Sequence, residues 1–192
     1  MAAKPFAVCI LSGKRKSGKD YVAERLKILL GKSNCEILRL SGPLKREYAR
    51  IHKLDYQKLL DSSDYKEKYR KDMIKWGEEK RNAEPYYFCE LAAKMAYRDA
   101  QSETKLYWLV SDARRITDLQ FFQQHYPRVV HVRVTASDDV RMRRGWMFTN
   151  GVDDAESECG LDDVIFDVAI INNGDNEQLE NSLASLKDKL TA

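Results

Sequence analysis

One run constrains this chain more than any other: Gly13-Lys14-Arg15-Lys16-Ser17-Gly18-Lys19-Asp20, set between an apolar stretch and an amphipathic one. Two glycines separated by four residues, with lysine next, make the G-x-x-x-x-G-K spacing of a phosphate-binding loop. The glycines let the backbone curl until several N–H groups face one polyphosphate. The helix that follows presents its positive end to the same anion. Lys19 then reaches the outer phosphates as a mobile cation. The bare pattern arises by accident in roughly one chain in twenty of this length, so context decides. Phe6 to Ser12 reads as a buried strand, and Gly18 to Leu30 as a helix ended near Gly31.

The loop departs from the common pattern at its last position. Ser or Thr usually follows the lysine and touches Mg²⁺; here the residue is Asp20. A carboxylate is also a hard-oxygen ligand, direct or through water, so Asp20 is a candidate metal ligand. The plainer alternative is a helix-start Asp held by the dipole.

Strand-like runs alternate with longer amphipathic ones along the rest of the chain. Strands are predicted at 36–40, 106–111, 129–135 and 168–171. Helices are predicted from Ser41-Gly42-Pro43 onward, over 64–80 with Tyr65, Tyr69, Met73 and Trp76 at helical spacing, from Pro85 to about Arg98, over 116–125 and over 177–190. That alternation predicts an α/β fold: a five-stranded parallel sheet flanked by helices in three layers. The segment 144–163 is the least regular, with three glycines and five acids between Asp153 and Asp162. A loop of that length inside one domain is usually functional or disordered. At 192 residues the chain is expected to be a single domain, with a lid over about 137–163 and an acceptor-binding region over about 41–100.

Charge and cysteine usage exclude several classes. The net charge is only +3, too mild for a nucleic-acid surface by itself. No apolar run approaches the roughly 20 residues that span a bilayer, so no membrane partner is expected. Cys9, Cys35, Cys89 and Cys159 lie far apart without metal spacing and read as reduced thiols. Phe6 to Leu11 is too short for a secretory signal, and Leu190-Thr191-Ala192 is not a peroxisomal tripeptide. The expectation is a cytosolic protein, and a monomer at this size.

The positive charge that matters must therefore come from where it clusters. Val110-Ser111-Asp112 ends a strand and is followed by Arg114-Arg115. Functional groups of open α/β sheets gather at such strand ends, and guanidinium forks grip phosphate bidentately. Asp112 is either a group that supports Mg²⁺ from behind or the N-cap of the next helix. Lys66 and Arg70 share one helical face, Arg81 lies further along, and Lys45 follows the second strand. Arg141, Arg143 and Arg144 open the irregular segment, where an arginine-bearing lid would close over nucleotide.

Together these blocks resemble a known family. They are GKRKSGKD at 13–20, LSGPLK at 40–45, YKEKYRKDMIKWGEEKR at 65–81, VSDARR at 110–115, RGW at 144–146 and GVDDAESECGLD at 151–162. The series is similar to animal-type phosphomevalonate kinases over nearly the whole chain, and its Asp20 agrees with them. The resemblance implies a P-loop fold like that of nucleoside monophosphate kinases, with a mobile lid. It implies ATP and Mg²⁺ as cofactors, and phosphorylation of 5-phosphomevalonate to 5-diphosphomevalonate on the mevalonate route to isoprenoids and sterols. Lys14, Arg15, Lys16, Ser17, Gly18, Lys19 and Asp20 would then bind ATP, with Arg144 and Asn173. Lys45, Lys66, Arg70, Arg81, Arg114, Arg115, Arg141 and Asn172 would meet the acceptor or the migrating phosphate. Lys19, Asp20, Arg114 and Arg144 are the expected catalytic set, and Asp20 and Asp112 the expected metal set. The chain departs from vertebrate members at Asn173, where they carry His, and lacks one residue after Asp162. Rival readings are a kinase of the same fold acting on a nucleoside monophosphate or dephospho-coenzyme A, a P-loop nucleotide sensor, and an RNA-binding domain. His52, His125 and His131 have no partners in sequence and read as surface or core histidines.

Overall fold

The apolar run before the phosphate loop forms β1 (Ala7–Ser12), buried along its whole length. A strand buried on both faces needs neighbours on both sides and helices above and below, and β1 has them. In the computed structural model, which describes residues 4–60, 64–99 and 105–192, β1 pairs in parallel with β3 (Tyr107–Val110) and with β4 (Val129–Thr135). The outer strands are β2 (Cys35–Leu38), beside β3, and β5 (Val168–Ile171), beside β4. The sheet order is β2-β3-β1-β4-β5, all parallel. The five predicted strands are all present. The predicted second strand begins one residue earlier, at Cys35, and ends at Leu38, and the third is trimmed to Tyr107–Val110.

Crossover helices cover both faces, giving the three layers. The odd residues of β1, Ala7, Cys9 and Leu11, pack with α1 (Lys19–Leu30) and the closing helix α9 (Asn176–Thr191). The even residues Val8 and Ile10 pack on the other face with α5 (Tyr87–Asp99) and α6 (Ile116–His125). This is the two-residue alternation of a strand read out as two separate cores. Pro85 lies in the turn before α5 rather than inside it. All four cysteines are free thiols, as expected.

Between β2 and β3 the chain builds a side layer. It comprises α2 (Ser41–His52), a short α3 (Tyr56–Leu60) that the sequence pattern did not reveal, and the long α4 (Asp64–Ala83). Their shared core is Tyr48, Ala49, Leu59 and Met73, with Tyr65, Tyr69 and Trp76 packed against it. The irregular segment carries two short helices, α7 (Asp138–Arg143) and α8 (Glu156–Cys159). Among the described residues, no helix is long and apolar enough to cross a membrane.

The strand order fixes where a ligand belongs. From β1 the chain moves outward to β2, returns to β3, then passes to the far side of β1 as β4. The winding reverses between β1 and β3, so the crevice opens at the carboxyl ends of those strands. The phosphate loop follows β1 there, and Ser111-Asp112 follows β3.

Candidate active site

The loop's backbone explains its glycines. Gly13 has φ +142° and Gly18 φ +94°, conformations that side chains rarely adopt. A Cβ on Gly13 would sit 2.1 Å from the Val134 carbonyl, and one on Gly18 2.2 Å from the Asn172 amide nitrogen. Lys19 is buried and folds back over the loop, donating to the Gly13 carbonyl at 2.5 Å and the Lys14 carbonyl at 3.0 Å. Burial pulls its amine down to about 7, helped by the Arg114 charge and opposed by Asp112 and Asp20. The Ser17 hydroxyl is fully buried at the start of α1 and has no hydrogen-bond partner among the described residues. An orphaned donor in such a curl is what an incoming phosphate oxygen satisfies.

Across the crevice, the Ser111 hydroxyl donates to the Asp20 carboxylate at 3.2 Å, and Arg39 Nε lies 3.4 Å from the same oxygen. Asp20 is exposed. Asp112 caps a helix, but not the one after it: its two oxygens accept from the Leu40 and Ser41 amides at 2.7 and 3.0 Å, at the start of α2. Asp118 shapes the arginine turn, accepting from the Arg114 and Arg115 amides at 2.9 and 3.1 Å.

A single cavity of about 610 Å³ runs from the loop into the side layer. Ten cations line it: Arg15, Lys16, Lys19, Lys45, Lys66, Arg70, Arg81, Arg114, Arg115 and Arg144. Four carboxylates share it: Asp20, Glu78, Asp112 and Glu158. Its apolar wall includes Leu40, Leu44, Met73 and Ile74. Crowding is visible in the charges themselves. Burial lowers the pKa of Lys45, with Lys66 next in effect, and burial likewise lowers those of Arg81 and Arg114. Arg81 lies over the Phe88 ring at 4.7 Å. Arg115 is locked to Glu78 by a paired contact.

Five of the expected residues do not line this cavity. Lys14 turns to the irregular segment, meeting Asp162, the Glu158 carbonyl at 3.0 Å and the Cys159 sulfur at 3.3 Å. Ser17 is buried within the loop itself. Arg141 is buried under the Trp146 ring, 3.8 Å away, and holds the Arg15 carbonyl at 2.9 Å and Asp138 at 2.7 Å. Asn172 is buried and donates to the Ser17 carbonyl at 2.9 Å, while Asn173 is exposed and accepts from the Ser137 amide at 2.8 Å. Arg144 both lines the cavity and holds the loop, donating to the Lys16, Ser17 and Asn172 carbonyls.

Sequence reasoning missed Ser111, Glu78 and Glu158 and the apolar wall. The cluster of acids after Asp153 was visible, but its partners in the phosphate loop were not.

A family model described as phosphomevalonate kinase matches residues 11–128, which takes in the loop, the side layer and the arginine turn. The phosphomevalonate kinase of Drosophila melanogaster is 44% identical over 187 residues, covering 95% of this chain and 96% of that protein. The chain belongs to the phosphomevalonate kinase family. Among solved structures, TT1252 of Thermus thermophilus has a TM-score of 0.51 at 17% identity, covering 99% of this chain and all of that one. A sugar kinase from Janibacter has a TM-score of 0.50 at 14% identity, with 95% of both chains covered. Those likenesses speak for the fold alone, which is the nucleoside-monophosphate-kinase-like P-loop fold. The strand-end arginines of this family member therefore sit on a fold that the Janibacter sugar kinase shares. Its side layer supplies half of the cavity's other eight cations, Lys45, Lys66, Arg70 and Arg81.

Proposed function

We propose that this chain transfers the γ-phosphoryl group of ATP to the phosphate of 5-phosphomevalonate, giving ADP and 5-diphosphomevalonate. The observation that carries the reading is the single cavity joining Lys19 and Asp20 to Lys45, Lys66, Arg70 and Arg81. Family membership adds the identity of the acceptor.

The chemistry asks for positioning and charge neutralisation more than for acid–base work. An oxygen of the acceptor phosphate attacks the γ-phosphorus, and the bond to the β–γ bridging oxygen breaks, leaving ADP. That nucleophile is already anionic, so no general base is needed. Two polyanions must be brought together instead, and fixed cations in a water-poor cleft lower the cost. Lys14 to Asp20 and Arg144 hold the nucleotide in this reading. Lys45, Lys66, Arg70 and Arg81 hold the acceptor, with Leu44, Met73 and Ile74 against its carbon chain. Arg114 stands between the two and meets the migrating phosphoryl. Arg115 holds its wall through Glu78. Arg141, Asn172 and Asn173 act from behind the loop, and the segment 137–163 serves as the lid.

The donor set at the crevice fits Mg²⁺, which commonly takes one or two carboxylates and fills its shell with phosphate and water oxygens. Asp20, beside the Ser111 hydroxyl, would hold it, with Asp112 behind. When bound, the ion neutralises charge on the outer phosphates. A cytosolic monomer completes the proposal, and size-exclusion chromatography tests its last part.

The test is ADP release from ATP and Mg²⁺ with 5-phosphomevalonate, mevalonate, AMP, CMP, UMP and dephospho-coenzyme A as acceptors. Turnover confined to 5-phosphomevalonate is expected. Turnover with a nucleotide would overturn the acceptor assignment, and nucleotide binding without any turnover would favour a sensor.

A further inference from the structure

The carboxylate of Glu158, in α8, sits where an anion from outside belongs. It accepts from the Arg15 backbone N–H, inside the phosphate loop, at 3.0 Å. It also pairs with the Arg114 guanidinium, and its side chain is only 4% exposed. A loop amide and a fixed arginine are the donors that hold phosphoryl oxygens in phosphate sites. Here both are taken by an internal carboxylate that lines the same cavity as Lys19 and Arg144. Two neighbours in the segment behave alike from outside the cavity: Asp153 pairs with Arg15 at 2.9 Å, and Asp162 pairs with Lys14. Asp162 also meets Arg133 at 2.6 Å, so three acids of one segment meet four cations, two of them in the phosphate loop.

We propose that Glu158 is an internal counter-anion that occupies a phosphoryl position and is displaced when the terminal phosphates of a nucleotide arrive. Without it, the Arg15 amide would lose its partner and the half-buried Arg114 guanidinium would keep only the Ser157 carbonyl, at 3.1 Å, which is costly. With it, Arg114 stays aimed into the cavity, so Glu158 is a positioning residue that acts through Arg114. Its displacement also loosens the clasp of α8 on the loop, because the Glu158 carbonyl accepts from Lys14 at 3.0 Å. The inference rests on the nucleotide half of the proposed function and not on the identity of the acceptor.

The experiment is calorimetric titration of inorganic pyrophosphate into the wild type, Glu158→Gln and Glu158→Asp, without acceptor. Glu158→Gln removes the competing charge and is expected to bind pyrophosphate roughly tenfold tighter, the worth of one charge-assisted contact. Its KM for ATP should fall in step. Glu158→Asp keeps the charge and should stay within about twofold of wild type. A residue that only pinned the segment would give unchanged or weaker binding in Glu158→Gln, and that result overturns the proposal. A second readout needs no variant: hydrogen exchange of the 156–160 amides in the wild type. Pyrophosphate is expected to speed that exchange, and slower or unchanged exchange overturns the proposal. Pyrophosphate binding to none of the three proteins would overturn it together with the nucleotide reading. Binding that ignores residue 158 overturns it alone.

Discussion

Lys19 shows how one side chain can be held in a costly state until its ligand arrives. Burial lowers its amine to about 7 from a usual 10.5, and polyphosphate would raise it again. The complex then holds more protons than the free components, so binding takes up protons between those two values and weakens as pH rises through the window. Calorimetry at pH 8.5 in buffers of different ionisation enthalpy should show proton uptake with wild type and none with Lys19→Met. Arg81 makes a complementary case. It reaches the cavity from α4, far along the chain from the loop, and stacks on Phe88. Steady-state kinetics of Arg81→Met should show the acceptor KM raised by about one to two orders of magnitude, the loss of a bidentate anion contact. The ATP KM should stay within about twofold. Equal changes in both would move Arg81 to the shared part of the site.

Among elements, one carboxylate ties the end of the sheet to the start of the side layer. Asp112 leaves the end of β3 and caps α2 through two amides. Removing a helix cap typically costs about 1 kcal/mol. In a chain of this size that is a melting shift of roughly 2–4 °C. Asp112→Ala should show it in a thermal melt, and should also raise the acceptor KM, because Lys45 rides on the first turns of α2. Asp112→Asn keeps an oxygen for one amide and should lose less. The strands, α1 and α6 were readable in the sequence because each obeys a local period and ends at a local signal. Asp112 was read as either a cap or a group supporting the metal, but the helix it caps begins 71 positions away. Sequence spacing carries no such contact. For the same reason α3 and α8 went unread: a helix of four or five residues is too short to show a period, and tertiary contacts decide it.

Across the whole molecule, charge is distributed more unevenly than composition suggests. The chain carries only +3 overall, yet ten cations and four carboxylates face one cavity. A field focused in that way draws polyanions inward and is screened by salt. The kcat/KM for both substrates should therefore fall steeply between low and physiological ionic strength, while the melting temperature changes little. An equal loss of stability would mean that salt acts on the fold instead. The loop, the arginine turn and the side-layer cations were all named from sequence, since phosphate chemistry dictates their residue types. What joined them could not be named. The reversal of winding between β1 and β3, the apolar wall, and the pairing of Arg114 with Glu158 and Arg115 with Glu78 exist only once the chain is folded. The placement of Arg141, Asn172 and Asn173 behind the loop is of the same kind: their residue types suit a ligand, and their neighbours in space are the loop's own carbonyls and the Ser137 amide.

Direct transfer between two phosphates held in one cavity leaves a signature on every phosphorus atom involved. Phosphorus NMR of ATP, Mg²⁺, 5-phosphomevalonate and the protein follows every phosphorus atom at once. The phosphomonoester signal is expected to decline in step with ATP, replaced by ADP and by the coupled pair of a diphosphate monoester. An unchanged phosphomonoester beside accumulating inorganic phosphate would contradict it.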